Sequence, residues 1–221
     1  MDPSVVDLGP CRALEHRGAT SDDRVVLLPG ARYTTQAPLL WFARAVALAR
    51  GLGVLAVVDE LPDTEDPFSW ARYRASRALD FEPPARQAVV GKSLASAAAR
   101  DVADRGVSAI WLTPLLDQEA VVDGLARARP PTMLIGGTDD STWRPERLRP
   151  GSSLEIVQLD GLDHSLEAPG DVQRSLSPLD SRDAISRRRA PVTIMQLTVR
   201  ATSPGPRGRG RSCGGAPRGR A

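Results

Sequence analysis

Residues 87–96 have the sequence QAVVGKSLAS, in which a short apolar run leads directly into Gly91-Lys92-Ser93. This stretch has two interpretations that imply different proteins. Gly-Lys-Ser can end a phosphate-binding loop, and it can also form the sharp strand-to-helix turn that presents a nucleophilic serine. The neighbouring residues decide between the two.

The phosphate-loop interpretation requires a glycine five residues before Gly91, so that backbone N–H groups can wrap around the anion. Arg86 occupies that position, and the residues between are typical of a strand rather than a loop. The sequence therefore disfavours a phosphate-binding loop.

The turn interpretation fits the residues on both sides of Ser93. The apolar run 86–90 predicts a strand, and the alanine-rich segment 94–105 predicts a helix. Small residues two before and two after the serine let the two backbones approach closely, and Gly91 and Ala95 supply them. A serine that only caps the helix is the structural alternative.

Apolar runs alternate with helical patterns through the middle of the chain. Continuous Val-, Ile- and Leu-rich runs are typical of strands buried on both faces, and alternation with helices favours a parallel sheet. We therefore expect a three-layer α/β/α sandwich with a mostly parallel sheet over residues 22–185. The predicted strands are 24–30, 53–60, 86–91, 108–114, 132–137 and 154–160, and the predicted helices are 37–50, 68–80, 94–105 and 117–128.

The two ends of the chain differ from this middle part. Residues 1–21 predict an irregular N-terminal segment or an edge strand. Residues 186–221 contain nine arginines and no acidic residue; subtracting these from the net charge of +2 leaves −7 for residues 1–185. The Arg-, Gly- and Pro-rich tail predicts disorder, and nucleic-acid binding is expected only weakly, through this tail.

Bulk composition favours a globular cytoplasmic protein. The chain is 41% hydrophobic and 25% charged, which are ordinary globular values. No apolar run reaches the ~18 residues of a membrane helix, and the first residues lack a signal-peptide pattern. The two cysteines near opposite ends fit a reducing compartment. We expect no membrane association, no metal and no cofactor.

A nucleophilic serine needs a base, most often a histidine that a carboxylate orients. The chain has two histidines, His16 in the N-terminal segment and His164 after the last apolar run. Only His164 follows a parallel strand, where such folds collect their chemistry. His164 is therefore the candidate base for Ser93.

The orienting acid should follow the strand that precedes the histidine, because the chain order in such sites is serine, acid, histidine. Asp139 and Asp140 both follow the predicted strand 132–137. Asp163 is a weaker candidate, because it would have to fold back onto the ring of the adjacent His164.

These residues together resemble the α/β-hydrolase superfamily, and more narrowly a small, lidless bacterial branch related to the dienelactone hydrolases. The resemblance covers residues 24–180, with Ala95 replacing the usual second glycine of the turn. Four motifs carry it: L-P-G-x-x-Y at 28–33, G-K-S-L at 91–94, G-T-x-D-x-x-W at 137–143 and D-H-S-L-E at 163–167.

The resemblance implies a catalytic triad. Ser93 would be the nucleophile, His164 the base and Asp140 the acid, because Asp140 occupies the aspartate position of the motif; Asp139 is the alternative. The implied oxyanion hole consists of the backbone N–H groups of Leu94 and Ala31.

The implied activity is hydrolysis of a small ester, thioester or amide through an acyl-serine intermediate. Tyr33 and Lys92, the only lysine of the chain, are candidates for the substrate entrance, where the lysine would attract an anionic substrate. The alternative is a non-catalytic α/β-hydrolase scaffold that binds a partner or ligand.

Overall fold

An eight-stranded sheet organises the described part of the chain. The computed structural model describes residues 2–19, 22–59, 62, 66–128, 131–149 and 154–168. The strand order is β1-β2-β4-β3-β5-β6-β7-β8, in which β2 pairs antiparallel with β1 and β4 and all other pairs are parallel. The strands are β1 (Ser4–Asp7), β2 (Arg12–His16), β3 (Arg24–Leu28), β4 (Gly53–Val57), β5 (Gln87–Lys92), β6 (Ser108–Leu112), β7 (Thr132–Gly137) and β8 (Leu154–Leu159).

The six strands predicted from the apolar runs are all present, with ends that differ by up to three residues. Every residue of β3, β4 and β7 is buried, which explains why these strands lack the apolar–polar alternation of a half-exposed sheet. The edge strand β8 is more open, and its Ile156 is 44% exposed. The prediction of a mostly parallel sheet is confirmed.

The N-terminal residues extend the sheet at its other edge. Strands β1 and β2 form an antiparallel hairpin, and β2 pairs with β4 so that His16 lies opposite Val54. The described N-terminal residues therefore add two strands, β1 and β2, at this side of the sheet.

Helices cover both faces of the sheet. On one face α1 buries Leu40, Ala43 and Ala47, and on the other α2, α3 and α4 bury apolar side chains against β5 and β6. The three-layer architecture is thus confirmed. The helices are α1 (Pro38–Ala49), α2 (Pro67–Asp80), α3 (Ala99–Asp104) and α4 (Glu119–Leu125).

One predicted helix is divided. The segment predicted as a helix over 94–105 begins as a 3₁₀ helix at Ser93–Ala98 and becomes α-helical only at α3. Helix α3 packs closely against α4: a Cβ on Gly124 would lie only 2.7 Å from the backbone nitrogen of Arg100.

The strand order creates a crevice at the carboxyl edge of the sheet. The chain places β4 on one side of β3 and β5 on the other. The loops that leave β3 and β5 therefore diverge, and such a switch point is where open α/β sheets bind ligands.

Part of the predicted organisation lies outside the described residues. This applies to residues 169–185 of the predicted α/β domain and to the whole predicted tail, 186–221. Within the described ranges, the helices are too short or too polar to cross a membrane.

Candidate active site

A strained turn at the end of β5 presents Ser93. Lys92 is still extended (φ −115°, ψ 131°), whereas Ser93 has φ +52°. That left-handed conformation costs a non-glycine residue about 1–2 kcal/mol, and such strain is characteristic of functional sites. The side chain of a serine held in this way projects from the turn instead of continuing the strand.

Small residues on either side make this turn possible. A Cβ on Gly91 would lie 2.5 Å from Cζ3 of Trp111 and 3.1 Å from the Cβ of Ala95. Strand β5, the turn and the 3₁₀ helix therefore approach too closely for a larger residue at position 91. This is the physical reason for the small residues two before and two after Ser93.

The acid turn follows β7. The indole of Trp143 packs over Gly136, where a Cβ would lie 2.1 Å from the ring, and its Nε1 donates to Gln158 Oε1 at 2.9 Å. This packing folds the turn back onto the sheet. In this turn Asp140 is only 4% exposed, whereas Asp139 is exposed.

The histidine loop lies directly against this turn. A Cβ on Gly137 would lie 2.0 Å from the carbonyl oxygen of Leu162, and Asp139 N–H donates to the same carbonyl at 3.0 Å. Asp163 Oδ1 accepts from the N–H groups of Ser165 and Glu167 at 2.8 and 3.1 Å. Asp163 thus shapes the loop, and it is Asp140 that contacts the imidazole.

The structure brings Ser93, His164 and Asp140 into one hydrogen-bonded chain. His164 Nε2 lies 2.8 Å from Ser93 Oγ, and His164 Nδ1 lies 2.8 Å from Asp140 Oδ2. A carboxylate only accepts hydrogen bonds, so Nδ1 is the protonated nitrogen and Nε2 is free to accept from the serine hydroxyl. This arrangement can remove a proton from Ser93 when its oxygen attacks a carbonyl carbon.

Asp140 remains ionised despite its burial. Burial alone would raise the pKa of Asp140, but hydrogen bonds from His164 and from the backbone and side chain of Thr142 lower it below its ordinary value. Thr142 N–H and Oγ1 each donate to Asp140 Oδ1 at 2.8 Å. The carboxylate therefore keeps a negative charge beside the imidazole.

Sequence reasoning did not assign a role to Thr142. Besides bonding Asp140, its Oγ1 lies 3.2 Å from His164 Nδ1. An aspartate side chain in a turn often accepts from the backbone N–H two residues further on, and this signal was available in the sequence. Thr142 fixes the carboxylate rotamer that faces the histidine.

Lys92 is buried in the structure and does not lie at a substrate entrance, where the sequence analysis expected it. Its side chain is 1% exposed, and Nζ donates to Thr113 Oγ1 and, at 2.6 Å, to the backbone oxygen of His164. Because successive strand residues face opposite sides and Gly91 faces Trp111, Lys92 points to the other face, beneath the ring of Tyr33. Lys92 is therefore not exposed to an incoming substrate, and it does not form part of a phosphate-binding loop.

The loop after β3 borders the serine turn. A Cβ on Gly30 would lie 3.5 Å from the Cβ of Ser93, which places the next residue, Ala31, beside the site. Tyr33 is half-buried, its hydroxyl oxygen accepts from Leu39 N–H at 2.9 Å, and its ring lies 5.2 Å from Lys92 Nζ.

Leu94 and His16 were also considered from the sequence, and only Leu94 lies beside the cluster. Leu94 is buried directly after Ser93, with its N–H in the serine turn. His16 lies on β2, which is three strands away from β5 in the sheet, and burial lowers its pKa. Among the described residues, no group of three or more His, Cys, Asp or Glu side chains is placed to hold a metal ion.

Comparisons with known proteins agree with this architecture. No protein-family model and no curated protein matches the sequence. Solved structures do match. An α/β serine hydrolase homologue from Coxiella burnetii has a TM-score of 0.63 and 13% identity, covering 91% of this chain and 97% of that one. An α/β serine hydrolase without a lid from Xanthomonas campestris has a TM-score of 0.59 and 12% identity (91% of this chain, 94% of that one), and a dienelactone hydrolase from Anabaena variabilis has a TM-score of 0.60 and 17% identity (85% of this chain, 95% of that one). Together with the mostly parallel sheet and its flanking helices, these likenesses show that the chain has the α/β-hydrolase fold.

Proposed function

We propose that this protein is a serine hydrolase, which cleaves a small ester, thioester or amide through an acyl-serine intermediate. The observation that carries the proposal is the pair of 2.8 Å contacts joining His164 to Ser93 Oγ and to Asp140 Oδ2. A serine that merely capped a helix would need neither a strained backbone nor a histidine–carboxylate pair.

In the proposed reaction Ser93 Oγ attacks the substrate carbonyl while His164 Nε2 accepts the hydroxyl proton. The C–O, C–S or C–N bond to the leaving group then breaks, and the imidazolium returns the proton to the leaving group. Water, activated by the same nitrogen, hydrolyses the acyl-serine and regenerates the enzyme. Asp140 stays ionised throughout and stabilises the imidazolium.

The developing oxyanion requires donors near Ser93. The backbone N–H of Leu94 is proposed as one and that of Ala31 as the other, because the Gly30 loop borders the serine turn. One such donor typically contributes about 3 kcal/mol to stabilisation of the transition state.

The substrate is proposed to be small. The side chain of His164 is 40% exposed, so the proposed base faces solvent. The matched structures include a hydrolase described as lidless and a dienelactone hydrolase. Both points favour a soluble acyl compound that reaches Ser93 directly, in keeping with the lidless, dienelactone-hydrolase-related branch indicated by the sequence motifs.

A fluorophosphonate probe tests the proposal, because it reacts with an activated serine and reports the labelled residue by mass. The wild-type protein should be labelled at Ser93 and should hydrolyse p-nitrophenyl acetate. Ser93→Ala should abolish both readouts with the fold intact, a loss on the order of 10⁶-fold in turnover.

His16 and His164 provide a matched pair of histidine variants. His164→Ala should remove turnover and slow labelling, whereas His16→Ala should retain activity because His16 lies on β2, three strands away from the strand that precedes Ser93. A folded wild-type protein that resists the probe and hydrolyses no acyl substrate would refute the hydrolase proposal. It would then favour the non-catalytic scaffold.

A further inference from the structure

The buried side chain of Lys92 connects three elements at the base of the proposed active site. Its Nζ donates to Thr113 Oγ1, just after β6, and at 2.6 Å to the backbone carbonyl of His164, in the loop after β8. The ring of Tyr33, in the loop after β3, lies 5.2 Å from the same nitrogen. Lys92 itself ends β5, so it lies directly before Ser93.

Burying this ammonium is unfavourable unless the contacts it makes are needed. Only 1% of Lys92 is exposed, and burial lowers its pKa to about 8, although the negative charges of Asp140 and Asp163 act in the opposite direction. Within the described part of the chain, its hydrogen-bond partners are a hydroxyl and a backbone carbonyl, and neither is a carboxylate. An apolar residue would fill such a position more stably in many proteins, so the stability of the core does not explain the lysine.

The geometry offers another explanation, because both ends of the Ser93–His164 contact are connected to Lys92. Ser93 follows Lys92 through one peptide bond, and the His164 carbonyl accepts from the Lys92 ammonium. The His164 loop also makes its own turn bonds through Asp163. It contacts the turn after β7 as well, where Asp139 N–H donates to the Leu162 carbonyl and Thr138 Oγ1 accepts from Gly161 N–H. Of these, only the lysine joins the histidine backbone to the strand that carries the nucleophile.

We propose that Lys92 is a positioning residue, which holds the backbone of His164 so that Nε2 stays within hydrogen-bond distance of Ser93 Oγ. The proposal rests on the proposed serine hydrolase function and adds to it the residue that fixes the base relative to the nucleophile. Lys92 touches no reacting atom in this role and acts only through His164. The sole lysine of the chain is therefore assigned to the geometry of the reaction and not to attraction of the substrate.

The test compares Lys92→Met with Ser96→Ala. Methionine keeps the length and apolar stem of lysine and removes every N–H donor. Ser96 is a matched control: it is fully buried in the 3₁₀ helix that directly follows Lys92, and its Oγ accepts from Leu115 N–H at 3.1 Å.

We expect Lys92→Met to lower kcat on the order of 10- to 100-fold, as displacement of a reacting group by about 1 Å does. KM should stay within about twofold, and fluorophosphonate labelling should slow in proportion to kcat. Ser96→Ala should lower the melting temperature while leaving kcat and labelling unchanged. Lys92→Gln, which retains a shorter donor, provides a second variant if Lys92→Met does not fold.

A readout that needs no turnover separates this proposal from the hydrolase proposal. Hydrogen exchange at the amides of residues 163–167 should be faster in Lys92→Met than in wild type, and the NMR signal of the His164 Nδ1 proton should broaden. Wild-type kcat and labelling in Lys92→Met, or an unchanged exchange rate and NMR signal, would overturn the positioning role. A wild-type protein that is inactive and unlabelled would instead refute the hydrolase proposal, while exchange and NMR would still test the contact between Lys92 and His164.

Discussion

Substituting Lys92 by methionine should change how the stability of the protein depends on pH. The lysine has a pKa of about 8 when folded and 10.5 when exposed to water. Below pH 8 both states carry the proton, and the folded state bears the full penalty of the buried charge. Between pH 8 and 10.5 the folded protein has released this proton and the unfolded chain retains it, so the free energy of unfolding rises with pH.

The size of the effect follows from the two pKa values. The difference between 10.5 and about 8 corresponds to about 3 kcal/mol, of which about 2 kcal/mol is gained between pH 7 and pH 9.5. Cys11 acts in the opposite direction, because burial raises its pKa from 9.0 to about 11 and stability is lost as the pH rises above 9.0. Wild type and Lys92→Met both contain Cys11, so subtracting one pH profile of the free energy of unfolding from the other removes the contribution of Cys11.

Urea unfolding followed by tryptophan fluorescence measures this difference at several pH values. Wild type should gain about 2 kcal/mol relative to Lys92→Met between pH 7 and pH 9.5. The lost hydrogen bonds to Thr113 and His164 shift the two curves by a constant amount, whereas the change in their separation reports the titration of Lys92. Parallel profiles across this range would show that the folded lysine titrates normally and would refute the reasoning.

Three further predictions concern the turns around the proposed site. Asp140→Asn should lower kcat about 10⁴-fold by favouring the wrong histidine tautomer, whereas Asp139→Asn should have little effect because Asp139 is exposed; equal losses in p-nitrophenyl ester assays would place the orienting acid elsewhere. Gly137→Ala should lower both the melting temperature and the activity, because its Cβ would lie 2.0 Å from the Leu162 carbonyl oxygen; a variant with wild-type values in calorimetry and turnover would contradict this close approach. Ser93→Gly should be more stable than Ser93→Ala by about 1 kcal/mol in urea unfolding, since φ at this position is +52° and glycine adopts it freely; an alanine variant of equal or greater stability would argue against strain.

The fold could be predicted from the sequence because its central strands are buried on both faces. Their continuous apolar runs identify them without reference to the rest of the chain. The split of the helix predicted over 94–105 could not be predicted, because an alanine-rich segment suits α and 3₁₀ geometry alike. The choice depends on the turn at Ser93 and on close packing against Gly124.

The residues of the candidate site were predictable to different degrees. Chain order and the place after the last predicted strand made His164 the candidate base, but Asp139 and Asp140 are adjacent and were distinguished only by the family resemblance. In the structure Asp140 is buried against His164 and Asp139 is exposed, a difference that depends on how the turn after β7 folds. The direction of the Lys92 side chain was inaccessible from sequence, because it depends on which face of β5 the residue occupies and on partners in two distant loops.

Because Lys92 is the single lysine of the chain, proteolysis can measure local unfolding of the turn at Ser93. A protease that cleaves only after lysine has one target bond in the whole chain, between Lys92 and Ser93, and in the native protein this bond lies between a buried strand and a strained turn. Cleavage requires the turn to open, so under weak protease the rate reports the free energy of that local opening, and not the fraying of a terminus. The two products, residues 1–92 and 93–221, separate on an ordinary gel. A compound that acylates Ser93 and stabilises the turn would slow the cleavage.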